Sequence, residues 1–114
     1  MAANPYMHSF VLASGSTAYN LATLIKGDPN APNLSVIQDM TVQVPLRSGN
    51  ARIYLGNGDI TATNCGTELS AGQAIAFTAV PPNWLNLQSS GTGTLSVLTD
   101  TAGTAINLIL WYQA

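Results

Sequence analysis

Ala51 to Phe77 reads ARIYLGNGDITATNCGTELSAGQAIAF. Ile53 and Leu55 alternate with Arg52 and Tyr54, so Ala51–Leu55 is expected to be a strand with one apolar face. Asn57-Gly58 follows, a dipeptide suited to a two-residue type I′ hairpin turn because both central residues there need positive φ. Asp59–Asn64 is the expected return strand, rich in Thr, which suits a pleated, half-buried surface. Asn64-Cys65-Gly66 makes the next turn. Glu68–Gly72 leads into a third strand, Gln73–Ala79, with Ile75 and Phe77 pointing inward. Three short strands and two turns in succession make a β-meander, and almost no charge or catalytic chemistry lies within it.

Outward from this segment the period remains two. Leu34–Pro45 alternates over its second half, with Met40, Val42 and Val44 on one face and Asp39, Thr41 and Gln43 on the other. Tyr6–Ala13 is the first strand expected, and Trp84–Leu87 and Thr94–Thr99 are further extended pieces. The last strand, Thr104–Gln113, is the most apolar. Ile106, Leu108 and Leu110 share one face, and Ile109 and Trp111 lie on the opposite one. Apolar residues on both faces imply a central strand, or one face covered by another subunit. One helical piece is expected at Tyr19–Ile25, where Leu21, Leu24 and Ile25 share a face. It ends at Lys26-Gly27-Asp28-Pro29, since Pro cannot continue a helix. Turn signals recur about every 8 to 12 residues, the spacing of a sandwich or barrel. The expectation is an all-β single domain, a sandwich or barrel of jelly-roll-like or Greek-key type with one short helical turn near residues 19–25. Residues 1–10 are expected to be an N-terminal arm, or else a terminus and first strand, ahead of a β-domain spanning 11–114.

Composition narrows the function. Of 114 residues, 46% are hydrophobic and only 7% charged, against about 25% charged in an average soluble domain. The net charge is −2. A chain with so little charge is prone to associate, so a homo-oligomer or an assembled component is expected. Lys26, Arg47 and Arg52 are the only basic residues, too few to neutralise the several phosphates of a nucleic-acid site. No apolar run reaches the length of a membrane span. The first residues, MAANPYMHSFVLASG, lack the basic region of a secretory signal. The single cysteine, Cys65, rules out an intrachain disulfide framework. The chain is expected to be made in the cytoplasm and to leave it only by lysis.

Few side chains suit a catalytic set, and the sequence leaves a Cys65/His8 pair open. His8 is the only histidine, so any Ser-His-Asp or Cys-His arrangement must use it as base. It lies in an apolar first strand, and nothing next to Cys65 lowers the thiol's pKa. The carboxylates Asp28, Asp39, Asp59, Glu68 and Asp100 fall mainly in turns, where they serve local backbone hydrogen bonds. Asn57-Gly58-Asp59 with Glu68 resembles a calcium loop less than it does a hairpin turn. No enzyme, cofactor or metal is expected. The aromatics best placed for display are Trp84, following Pro81-Pro82-Asn83, and Tyr54, opposite Ile53 and Leu55. Together with Tyr6, His8 and Phe10 of the first strand they are the interface candidates.

The residues Ile53, Leu55, Gly56, Asp59, Ile60, Thr61, Thr63, Asn64, Gly66, Leu69, Gly72, Gln73 and Ile75 resemble a module of small structural proteins of tailed bacteriophages. The likeness extends to Asn20-Leu21-Ala22-Thr23-Leu24-Ile25, to Val36–Gln43, and to Leu108-Ile109-Leu110-Trp111-Tyr112-Gln113, so that it covers about Tyr19 to Gln113. That family contributes no enzymatic residues. The resemblance implies a place in the virion, on the head surface as a decoration (cement) protein that bridges major capsid subunits, in copies that form a trimer or dimer. The alternative it implies is a carbohydrate- or receptor-binding module, or a minor component, of a tail or fibre.

Overall fold

The structure is a computed structural model and describes residues 3–80, 84–91 and 94–113. Among the described residues, eight strands run in the order β1 (Ala3–Leu12), β2 (Tyr19–Asn20), β3 (Ile37–Gln43), β4 (Ile53–Gly56), β5 (Thr67–Leu69), β6 (Ala74–Thr78), β7 (Ser96–Thr99) and β8 (Thr104–Gln113). One helix, α1 (Leu21–Lys26), follows β2, and a 3-10 turn occupies Leu46–Ser48. The strands form two four-stranded sheets of order β1-β8-β3-β6 and β2-β7-β4-β5, and every pairing is antiparallel.

The pairing has a simple logic. β1 pairs with β8, β2 with β7, β3 with β6 and β4 with β5, as in one long hairpin whose tip is the β4–β5 connection. Wrapping that ribbon on itself adds the β3–β8 and β4–β7 pairs. The outcome is a jelly-roll sandwich, all-β as the turn spacing predicts. The stretch Ala51–Phe77 is therefore the tip of the ribbon and carries β4, β5 and β6.

The core lies between the sheets. Met40, Val42, Ile106, Leu108 and Leu110 meet Ile53, Leu55, Leu69 and Val97 across it, all buried. The helix closes one part of this space. Asn20 caps it by accepting the Thr23 N–H at 3.1 Å, and Leu21, Ala22 and Ile25 are buried. A helix this short is not stable alone; docking of that face keeps it folded. The segment Ala3–Phe10 pairs with β8 residue by residue, from Ala3 opposite Gln113 to Phe10 opposite Ile106. These residues are thus part of β1.

The expected return strand Asp59–Asn64 is not one. Neither Asn57 nor Gly58 takes positive φ, so no type I′ turn forms, and Asn57–Gly66 is a loop that bonds to itself. The Ile60 N–H donates to the Asn57 carbonyl at 3.1 Å, and Thr61 and Asn64 exchange backbone bonds at 3.1 and 3.2 Å. The Thr61 hydroxyl also accepts the Asn64 N–H at 3.0 Å. Short polar side chains that reach local backbone compete with a sheet ladder, and here three of them cluster. Ladder pairing to β4 passes instead to Thr67–Leu69. Ile60 is the one buried member of the loop. It packs on the outer side of the second sheet against Tyr54 and Leu98.

Candidate functional site

The first strand brings three of the interface candidates into one row. Tyr6, His8 and Phe10 share the inward phase of β1 with Leu12. The His8 ring stacks on Tyr6 (centroids 6.2 Å, 17° between planes) and tilts against Phe10 (4.7 Å, 58°). The loop after α1 comes down over them. The Tyr6 hydroxyl donates to Asp28 Oδ2 at 2.7 Å, and His8 Nδ1 stands 3.5 Å from the same oxygen. Asp28 Oδ1 accepts the Asn30 N–H at 3.1 Å, which fixes the loop's own turn. The Tyr6 hydrogen bond, then the Asn30 N–H and the nearby His8 hold the Asp28 carboxyl below its usual range, against the opposing effect of burial. Burial, and then the Asp28 carboxylate, push the Tyr6 phenol above its usual range.

This cluster fastens the α1 loop across the edge of the sandwich. The groove beside it is lined by His8, Phe10, Leu24, Gly27, Asp28 and Pro29, and no hydroxyl or thiol nucleophile lines it. Cys65 is exposed in the β4–β5 loop, in a separate depression with Gly56, Asn57, Asp59, Asn64 and Gly66. The structure therefore does not bring Cys65 and His8 together. Three further carboxylates each have a partner. Asp59 receives the Asn64 amide at 3.3 Å, Asp100 receives the Arg52 N–H at 2.9 Å, and Glu68 pairs with the Arg52 guanidinium at 2.9 Å. Among the described residues, no three of His, Cys, Asp and Glu converge to hold a metal ion. No helix is long and apolar enough to cross a membrane among those residues.

Three of the five interface candidates are buried and offer no surface. Tyr6 and Phe10 are in phase with the core, and Tyr54 is covered by the tucked-in Ile60. Burial, with Glu68 and Asp100 close by, raises the Tyr54 phenol above its usual range. His8 keeps an exposed edge, and Trp84 is 37% exposed. The backbone around Trp84 bridges to β3 through the Leu85 N–H and the Ile37 carbonyl at 2.8 Å. That turns Leu85 toward the core and leaves the indole outside. Pro81-Pro82-Asn83, which precede it, lie outside the described residues.

The surface best made for contact is the outer face of the β1-β8-β3-β6 sheet. Met7 and Val11 of β1 are 62% and 63% exposed, and Ile109 and Trp111 of β8 are each 41% exposed. Register places Met7 beside Ile109 and Pro5 beside Trp111. The Ile109/Trp111 face was legible from the alternation of the last strand. Met7 and Val11 were not singled out, although they stand in the odd phase of Tyr6–Ala13 and so oppose Tyr6 and Phe10.

No family model matches this chain, and no curated protein does. Among solved structures, it is similar to one from Bacillus endospore appendages, which form a novel family of disulfide-linked pili. The alignment covers 97% of this chain and 86% of that chain, at 11% identity and a TM-score of 0.45.

Proposed function

We propose that this chain is a virion structural protein, a capsid decoration (cement) protein that binds the phage head and bridges major capsid subunits. The observation that carries the proposal is the outer face of the β1-β8-β3-β6 sheet, where Met7, Val11, Ile109 and Trp111 stand exposed on a chain with few charges. Apolar side chains left exposed together on one sheet face are candidates for contact with a partner. The chemistry-bearing side chains support the same view. Tyr6, His8 and Asp28 hold a loop, and Arg52 with Glu68 holds two neighbouring strands. The resemblance of Tyr19–Gln113 to phage structural proteins supplies the particle.

The test is to mix the purified chain with expanded capsids of the encoding phage, pellet them, and image the decorated particles. Co-pelleting at regular lattice positions is expected, together with heads that resist heat better. A chain left in the supernatant contradicts the proposal. The exposed indole of Trp84 favours one second reading, a carbohydrate- or receptor-binding module of a tail or fibre. Glycan binding that is lost in Trp84→Ala would establish it in place of the head.

A further inference from the structure

We infer that β6 is a docking edge, which takes an extended, uncharged segment of another protein as an added strand whose alternate apolar side chains enter the cleft between the two sheets. β6 ends the order β1-β8-β3-β6 and pairs on one side only. Hydrogen bonding across an antiparallel pair alternates from residue to residue. Beyond one end of β6 the Ala79 N–H donates to the Gln38 carbonyl at 3.0 Å, and beyond the other the Gln73 carbonyl accepts the Val44 N–H at 2.9 Å. That phase turns the N–H and C=O groups of Ile75 and Phe77 toward Val42 and Met40 of β3. It turns those of Ala74, Ala76 and Thr78 away, and no described backbone group bonds to them.

The other sheet edges are less open to addition. β1 contains Pro5, and the α1 loop is fastened over it through Tyr6 and Asp28. β2 has two residues, and β5 has three, one of them Glu68. Shortness, Pro, charge and a covering loop are the usual means by which edges avoid pairing. β6 runs for five residues with neither Pro nor charge.

Apolar space lies beside this edge. Ile75 and Phe77 pack on the core yet stay half-buried. Ile75, Phe77, Leu55 and Leu95 border a depression of about 210 Å³. Phe77, Met40, Leu85 and Leu95 border a second of about 240 Å³. A cavity of about 150 Å³ holds a benzene ring, so each depression has room for one apolar side chain. Phe77 borders both, and alternate residues of a strand fall on one face about 6.8 Å apart. One added strand therefore supplies a side chain to each. No charged residue lines either depression, so a charged side chain entering there would lose water without gaining a partner. Every described strand of a second copy is already in a ladder, and its Ile75 and Phe77 are packed on its own core. A partner segment that arrives unpaired has neither constraint, and adding a strand to an open edge is a recurrent mode of peptide recognition.

The probe is a short fluorescent peptide of alternating Val and Thr, blocked at both ends. Its Val side chains enter the cleft opposite Ile75 and Phe77, so its Thr amides are the ones that meet Ala74, Ala76 and Thr78. Fluorescence anisotropy with the full chain is expected to show binding. Amide hydrogen exchange is expected to slow at Ala74, Ala76 and Thr78 and to stay unchanged at Ile75 and Phe77. A peptide N-methylated at its Thr residues is expected to bind at least about tenfold more weakly, and one N-methylated at its Val residues to bind as the parent does. Ala76→Pro removes an edge N–H without touching a bond to β3 and is expected to weaken binding, with circular dichroism melts checking its fold. No binding, equal binding by the two methylated peptides, or protection away from β6 would each overturn the inference. Protection of Ala74, Ala76 and Thr78 that grows with chain concentration in the absence of peptide would assign the edge to a second copy and overturn it too. Peptide binding by a chain that ignores capsids would remove the virion role and leave the edge standing. Capsid binding by a chain that takes no peptide would do the reverse.

Discussion

Asp28 is where one side chain carries the most structural responsibility, since it takes hydrogen bonds from the Tyr6 hydroxyl and from its own loop. The consequence is a stability that depends on pH at both extremes. The folded Asp28 carboxyl lies below its ordinary value of 3.8, so the unfolded chain binds its proton first as pH falls. Its contribution is complete above about pH 4 and is lost as pH drops through the folded value. Tyr6 has the opposite sign. Its folded value lies above the ordinary 10.0, so its contribution is complete below pH 10 and is lost as pH rises further. Urea melts between pH 2 and 5 should therefore show an acid decline that is shallower in Asp28→Asn. Equal slopes in the two proteins would contradict this account of Asp28.

Gly72 is the other residue with a sharp requirement. It sits at φ +85°, and a Cβ there would meet Leu46 Cδ2 at 3.0 Å. It holds the turn in which the Gln73 N–H donates to the Ser70 carbonyl at 3.0 Å. Gly72→Ala is expected to lose about 1–2 kcal/mol, the cost of a left-handed backbone for an L residue. Thermal melts check it, and an unchanged midpoint would mean that the turn relaxes.

Among elements, the β4–β5 loop is the informative one. Its ten residues Asn57–Gly66 occupy the tip of the ribbon, and Ile60 anchors them on Tyr54 and Leu98. Ile60→Ala is expected to cost about 2 kcal/mol or more through lost burial and the cavity left behind. Hydrogen exchange should localise the effect, with faster exchange at Ile60, Thr61 and Asn64 and little change in β8. Uniform loosening would show that the loop is not a separate unit.

This loop also marks where reading from sequence stops. β8 was legible to the residue, because ten alternating positions with an apolar inward phase leave one register. The pattern around α1 was also visible, since Leu21, Leu24 and Ile25 match a helical face. Asp59–Asn64 has the composition of a strand, but its Thr and Asn side chains satisfy their own backbone, and no local pattern distinguishes that from a ladder. Tyr54 failed as a surface residue for a related reason. Alternation places it on the outer face of its sheet, and only the tertiary return of Ile60 covers it. His8 lies in the first strand, and its contact with Asp28 joins positions 20 apart and has no sequence signal.

At the scale of the molecule, the sandwich sets two surfaces apart. The second sheet turns Tyr54 and Leu98 outward and then caps them with Ile60, while the first sheet leaves Met7, Val11, Ile109 and Trp111 open. With few charges and little net charge, such a chain has scarcely any long-range repulsion to keep copies apart. Under the proposed function, these properties would serve a unit set many times on a particle lattice.

The most direct measurement is the number of copies of this chain per purified phage particle, from quantitative protein staining against the major capsid band. A decoration protein of the head predicts tens to hundreds of copies, in a fixed ratio to the capsid subunit. A handful of copies, or none, would contradict the account.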